Sequence, residues 1–174
     1  ATRGGAHLGV VVFAQRQRLG ALDVSHLELG SAHEAPVTSL SLDAVDHRFL
    51  LSSASEGSVA LFDVEDKPCD PRAAPISGRE PLAKIARAHP NRISSVQWFP
   101  HDTGLFTSGG DDGLVRLWDT NELAVACEFA LPGRIFSTAM SEVATTHTLV
   151  AAGCDGTNSI HLCDAATGSS AQVL

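Results

Sequence analysis

The chain has 174 residues, 44% of them hydrophobic, and its 12 basic and 20 acidic side chains give a formal net charge of −8. Phosphate binding requires a surplus of Lys and Arg, so this balance argues against direct binding to nucleic acid or to an anionic membrane surface. The longest apolar run near the start, residues 10–13, is far shorter than the roughly 20 residues that a membrane-spanning helix requires.

Residues 1–32 fit no complete unit of the repeat described below, so we treat them as a separate N-terminal segment. Residues 10–22 are predicted as a short helix and residues 25–29 as a strand.

The first unit spans residues 33–88. Alternating apolar residues and flanking turn residues predict strands at 37–42, 49–54 and 59–62, with a weaker fourth strand at 82–86. Between 64 and 88 the chain carries four prolines among small and charged residues, which predicts a long surface loop. The composition fits a functional loop and a disordered one equally well.

The second unit, 89–133, has the clearest signals. Strands are predicted at 93–99, 105–109, 114–119 and 123–129, with Val96 and Trp98 on one side of the first strand and Gln97 on the other. Asp111-Asp112-Gly113 predicts a tight hairpin, because Asp-Gly between alternating residues favours a two-residue turn. The unit is therefore expected to form a four-stranded antiparallel sheet.

The third unit, 134–174, follows the same order. Strands are predicted at 134–136, 149–152, 159–163 and 171–173. The four cysteines show no CxxC spacing and the eight histidines show no metal-site spacing, so we expect reduced, mostly buried thiols, no cofactor and no metal.

The three units share a repeat signature. Each third strand ends in Asp, at Asp63, Asp119 and Asp164, and an Ala-His pair precedes the first strand at His33 and His89. Their spacing resembles WD40 repeats, which are roughly 40–45 residues long and pair an early His with a final Trp-Asp. The resemblance implies an all-β WD40 propeller, with three four-stranded blades in residues 33–174 out of an expected total of about seven, within the roughly 4–8 typical of propellers.

The WD40 resemblance also implies a buried hydrogen-bond network in each blade. In the second unit its four members are His89, Ser108, Asp112 and Trp118. The first unit keeps His33 and Ser52 but has Glu56 for Asp and Phe62 for Trp, so a shorter network is expected. In the third unit Cys163 takes the Trp place and an extra residue separates it from Asp155, so no network is assigned.

A catalytic Ser-His-Asp triad is the rival interpretation of the same residues in the second unit. Each member stands at a repeat position, and the pattern provides no exposed oxyanion site. We therefore expect a protein that is not an enzyme and has no catalytic residues.

A closer resemblance is to the Cockayne syndrome group A family of WD40 DNA-repair proteins, in its plant and algal form. The similar segments are 95–108, 117–121 and 162–164, and the Cys163-Asp164 ending is itself shared. This resemblance implies a nuclear substrate receptor of a cullin-4 RING ubiquitin ligase in transcription-coupled nucleotide-excision repair. Its partners would be the ligase adaptor and the repair and stalled-transcription factors.

The resemblance places adaptor docking in the N-terminal segment, around Phe13 and Arg16. Many receptors of this class use Trp-Asp-x-Arg for the adaptor, but Asn121 holds the Arg position here. Two other classes stay open: a generic WD40 scaffold in chromatin or RNA processing, and a propeller enzyme. Because three blades leave sheet faces uncovered, we expect the chain to self-associate or to be poorly soluble when expressed alone.

Overall fold

The computed structural model describes residues 29–64, 78–141, 148–156 and 158–173. Within these ranges the chain forms twelve β-strands and no helix, and the strands make three antiparallel four-stranded sheets. The all-β prediction is confirmed. Phe13, Arg16, the predicted helix at 10–22, most of the strand predicted at 25–29 and residues 65–77 of the predicted loop lie outside the described residues.

The first sheet, blade 1, contains β1 (Val37–Leu42), β2 (Phe49–Ala54), β3 (Val59–Asp63) and β4 (Ala83–Ile85), paired in chain order. The first two strands have the predicted bounds, β3 ends one residue later than predicted, and β4 is one residue shorter at each end. Ahead of β1, Leu29 forms a parallel bridge with Arg79, and the Gly30 N–H donates to the Arg79 carbonyl at 2.7 Å. This pairing ties the entry of the sheet to the segment before β4.

The second sheet, blade 2, contains β5 (Ile93–Phe99), β6 (Asp102–Gly110), β7 (Leu114–Asp119) and β8 (Ala124–Ala130), again in chain order. β6 begins earlier than predicted, because Phe99 pairs with Asp102 and confines the turn to two residues. The predicted Asp-Gly hairpin is present: Gly113 has a φ of 77°, and its N–H donates to the Gly110 carbonyl at 3.2 Å.

The third sheet, blade 3, contains β9 (Ile135–Met140), β10 (Leu149–Cys154), β11 (Ile160–Asp164) and β12 (Ser169–Val173). Only the start of β9 was predicted. The rest of the strand is rich in hydroxyl and small residues, which do not show the apolar alternation of a half-buried strand.

Hydrophobic cores fill the spaces between adjacent blades. The buried members between blades 1 and 2 are Leu51, Val59, Ala88, Ile93, Val96, Trp98, Phe106 and Trp118. Phe106 and Trp118 stack with ring centroids 5.9 Å apart. Trp98 Nε1 donates to the Phe49 carbonyl of blade 1 at 3.0 Å. A second core joins blades 2 and 3 through Val115, Phe129, Ile135, Val150, Ala152, Cys154 and Cys163.

The blades are also joined by hydroxyl groups on their first strands. Ser39 of β1 accepts the Val96 N–H of β5 at 3.2 Å. One blade further along, Ser95 of β5 lies 2.8 Å from the Thr138 hydroxyl of β9 and accepts the Thr138 N–H at 3.4 Å. The repeated bond fixes the register of each blade on the next and satisfies polar groups where the sheets are packed most closely.

Candidate functional site

Blade 2 contains a buried chain of hydrogen bonds that connects β6, β7, their turn and the segment before β5. Trp118 Nε1 donates to Ser108 Oγ at 2.8 Å, and Ser108 Oγ lies 2.7 Å from His89 Nε2. His89 Nδ1 lies 2.9 Å from Asp112 Oδ1. The structure thus brings the four residues singled out in the second unit into one network.

The order of donors in this network follows from the chemistry of its ends. A carboxylate only accepts, so His89 Nδ1–H donates to Asp112. His89 Nε2 then accepts from the Ser108 hydroxyl, whose oxygen accepts from Trp118. Burial lowers the pKa of His89 below its ordinary value of 6.5, although the adjacent Asp112 acts in the opposite direction. The lowered pKa favours the neutral imidazole, as this order of donors requires.

Arg116 extends the network beyond the residues found from sequence. Its Nη1 donates to Asp112 Oδ2 at 3.1 Å and to the Ala88 carbonyl at 2.8 Å, and its Nε donates to Glu128 at 2.7 Å. Arg116 therefore links the β6–β7 turn, the segment before β5 and the outer strand β8. The sequence signal was weak, because a lone Arg in a strand is ordinarily a solvated side chain.

The triad interpretation of this site conflicts with its burial. Ser108 is 0% exposed and His89 is 1% exposed. The Ser108 oxygen also accepts the indole N–H of Trp118, so no open side faces a substrate. A nucleophile needs an accessible reacting atom, and this arrangement does not offer one. The network is therefore a buried set of hydrogen bonds with a structural role.

Blade 1 contains a related network with different members. His33 Nε2 lies 2.7 Å from Ser52 Oγ, and His33 Nδ1 lies 2.6 Å from Ser58 Oγ. Ser58 in turn donates to Glu56 Oε1 at 2.6 Å. Phe62 fills the Trp place without a donor, as expected. The network is therefore shorter at this end, but Ser58 adds a member at the other end, where His33 Nδ1 also lies 3.3 Å from Glu56 Oε1.

Blade 3 has no such network, because the positions that correspond to the four network residues of blade 2 carry Leu131, Ala152, Gly156 and Cys163. Strand register aligns Ala152 with Ser108 and Cys163 with Trp118, and Gly156 follows in the turn. Leu131 takes the position of the histidine, since its N–H donates to the Gly113 carbonyl in the blade 2 turn at 2.9 Å. Asp155 lies one place earlier in its turn and forms an exposed 2.7 Å ion pair with Arg134. Burial, with a smaller effect of Cys127, raises the Cys163 pKa to about 11, so this thiol stays protonated.

Asp43 is a structural residue that the sequence analysis missed. It is 1% exposed, and its carboxylate accepts five backbone N–H groups in the β1–β2 turn, from Val45, Asp46, His47, Arg48 and Phe49 at 2.6–3.1 Å. Burial disfavours its charged form, but the N–H donors together hold its pKa below the ordinary value. An Asp directly after a strand was the available signal.

Within the described ranges, no group of His, Cys, Asp or Glu side chains is arranged to hold a metal ion. The same part of the chain contains no helix that could span a membrane.

Comparison with known proteins identifies the repeat. The pattern of the family described as "WD domain, G-beta repeat" matches residues 80–119, which run from β4 to β7 and contain the whole blade 2 network. The chain contains a WD40 repeat. A solved WD40 domain, that of Toxoplasma gondii coronin, superimposes with a TM-score of 0.68 over 82% of this chain and 34% of its own, at 16% identity. The WD40 propeller fold predicted from sequence is confirmed.

Three curated proteins show how far the likeness extends. WD repeat-containing protein ATCSA-1 of Arabidopsis thaliana is 38% identical over 83% of this chain. Histone-binding protein MSI1 of Saccharomyces cerevisiae is 31% identical over 51% of the chain and 18% of its own length. A DDB1- and CUL4-associated factor 11 homolog of Caenorhabditis briggsae is 32% identical over 42% of the chain and 11% of its own length. The chain spans 33% of the length of ATCSA-1.

Proposed function

We propose that this WD40 chain acts as a substrate-receptor scaffold of a cullin-4 RING ubiquitin ligase in transcription-coupled nucleotide-excision repair. The observation that carries the proposal is its 38% identity to ATCSA-1 over 83% of the chain. The name of the Caenorhabditis relative, an associated factor of DDB1 and CUL4, supports the ligase assignment. The repair role, the nuclear location and the named partners rest on the family resemblance of segments 95–108 and 162–164.

The described residues suit a binding role better than a chemical one. The polar network in blade 2 is closed to solvent, so it can stabilise turns but not transform a substrate. Rigid sheets that fix the loops between them are a common support for binding residues. The acidic charge of −8 favours protein partners over direct contact with nucleic acid.

The adaptor contact is expected in the N-terminal segment. Asn121 lies exposed in the β7–β8 turn, where Asp119 accepts its N–H at 2.8 Å. Its neutral amide cannot make the bidentate bond that Arg would offer a carboxylate. We therefore propose Phe13 and Arg16 as the docking pair, since an aromatic beside a guanidinium is typical of the anchors that dominate interfaces.

The docking proposal is tested by co-purification with the cullin-4 adaptor. We expect the Phe13→Ala/Arg16→Ala variant to bind at least about tenfold more weakly than the wild type, with its melting temperature nearly unchanged. The matched control is Gln15→Ala/Arg18→Ala, which alters the same segment and should bind normally. Normal binding by the first variant would overturn the N-terminal assignment.

A second candidate function is a generic scaffold in chromatin, favoured by the likeness to the histone-binding MSI1. That match covers 51% of the chain, against 83% for ATCSA-1, and so ranks below the repair proposal. A wild-type chain that retains histones and ignores the cullin-4 adaptor would reverse this order.

A further inference from the structure

Three basic side chains that lie close together in the sequence have no partner within the described part of the chain. The other described Lys and Arg side chains each donate to a carboxylate or a carbonyl oxygen: Arg48, Arg79, Arg116 and Arg134. Lys84, Arg87 and Arg92 are exposed, and their charged groups form no ion pair or hydrogen bond with any described residue. We call these three residues the basic strip. The chain as a whole has a net charge of −8, so the basic strip is a local reversal of its charge.

The basic strip runs from the outer strand of blade 1 toward the first strand of blade 2. Lys84 lies in the outer strand β4, where it pairs in register with Ala60 of β3. The corresponding places in blade 2 belong to Glu128 and Arg116, whose side chains form an ion pair at 2.7 Å. Blade 1 has neither member of that pair, so its outer strand carries a lone cation at this place.

Arg92 stands at a position where blade 3 has a paired arginine. In both blades a turn N–H donates at 2.8 Å to the carbonyl of the residue before the first strand, from Asp111 to Arg92 and from Asp155 to Arg134. In blade 3 the two side chains also form an ion pair at 2.7 Å. The Arg134 pKa is raised by this bond to Asp155 and, to a smaller extent, by the charge of Asp111. Asp111 therefore acts on the arginine of the next blade, and no described carboxylate binds the Arg92 guanidinium.

The segment between β4 and β5, which carries the two arginines of the basic strip, is fixed to both blades. The His89 N–H donates to the Gly57 carbonyl of blade 1 at 3.0 Å. The two backbones lie so close that a Cβ at Gly57 would be 2.2 Å from the His89 carbonyl oxygen. On the other side, the Ala88 carbonyl accepts from Arg116 of blade 2 at 2.8 Å. Because the backbone is already held, a ligand of the basic strip has to order only side chains, which lowers the entropy cost of binding.

We propose that the basic strip binds an acidic segment of a protein partner. Each guanidinium presents a planar fork of N–H donors that matches an Asp or Glu carboxylate. Asn91, exposed beside Arg92, offers an amide that donates to and accepts from a peptide backbone. A nucleic acid strand fits less well, because its binding combines cations with aromatic rings on which bases stack, and residues 84–92 contain no Phe, Trp or Tyr. This inference holds for either candidate function, since it requires only that the chain binds proteins.

The test is the fluorescence anisotropy of a labelled decaglutamate peptide titrated with the purified chain at low salt, where exposed charges are least screened. We expect saturable binding that Arg87→Gln/Arg92→Gln weakens about tenfold, with an unchanged circular-dichroism spectrum. The matched control is Arg48→Gln/Arg134→Gln, which lowers the net charge by the same amount at two paired arginines whose side chains are 40% and 59% exposed. This control should weaken binding less than about twofold, because its arginines already have carboxylate partners.

A second probe separates an acidic protein segment from nucleic acid. A labelled thymidylate oligomer of matching charge presents phosphates in place of carboxylates, and we expect it to bind more weakly than decaglutamate. Three results would each overturn the proposal: a wild type that does not bind decaglutamate, equal weakening by the two double variants, or tighter binding of the thymidylate oligomer than of decaglutamate.

Discussion

Replacing Asp112 by Ala tests whether the blade 2 network stabilises the fold. The carboxylate accepts from His89, from Arg116 and from the Leu114 N–H at 2.9–3.2 Å. Its loss removes hydrogen bonds to a charged group, worth about 1.5–3 kcal/mol each, and leaves the buried His89 N–H without its acceptor, at about 1–3 kcal/mol. Because the energies of bonds within one network are not additive and Arg116 keeps two other acceptors, we expect the free energy of unfolding to fall by about 3 kcal/mol in total.

The assay is urea unfolding followed by circular dichroism at one fixed protein concentration. Asp111→Ala is the matched control, since it removes a carboxylate from the same turn one position before the network. We expect this control to lose less than about 0.5 kcal/mol, as most surface substitutions do. If Asp112→Ala were no more destabilising than Asp111→Ala, the network would contribute nothing and our reasoning about its burial would be refuted.

Three further outcomes follow from the same contacts. Glu56→Ala should cost less than Asp112→Ala, because Ser58 keeps its bond to the blade 1 histidine; equal losses in urea unfolding would contradict this. Asp43→Ala should lower the free energy of unfolding by about 3 kcal/mol or more, because five backbone N–H groups lose their acceptor. Asp46→Ala, at an exposed position in the same turn, should change it little in the same assay. The folded-state pKa of His89 lies below 6.5, so His89 contributes to stability above pH 6.5, and this contribution declines as pH falls from there toward the folded-state pKa. Free energies of unfolding measured from pH 7.5 to 5 should show this decline, and a rise would contradict it.

The sequence predicted most of the fold because the repeat combines two independent signals. Period-two alternation located strands such as β5 and β7, and turn chemistry such as Asp112-Gly113 fixed where they reverse. The positions of His89 and Trp118 in the repeat also indicated which side chains meet, although they are far apart in the chain. Contacts between distant residues in a known repeat unit can therefore be assigned to the corresponding residues of a new unit.

What the sequence did not predict depends on contacts between elements that share no local pattern. The end of β9 has hydroxyl residues such as Thr138 facing Ser95 of the neighbouring blade, which looks like a polar loop until the blades are stacked. Ser58 entered the blade 1 network because its hydroxyl fits between His33 and Glu56, a matter of geometry rather than spacing. Exposed and buried aspartates likewise look identical in a sequence.

Binding to the cullin-4 adaptor is the most direct test of the proposed receptor function. The measurement is calorimetric titration of the purified wild-type chain with purified adaptor, and separately with histones H3 and H4 and with duplex DNA. Our account predicts saturable binding to the adaptor that is weakened by Phe13→Ala/Arg16→Ala, and weak binding to histones and DNA. Tight binding to histones or DNA with no heat from the adaptor would contradict it.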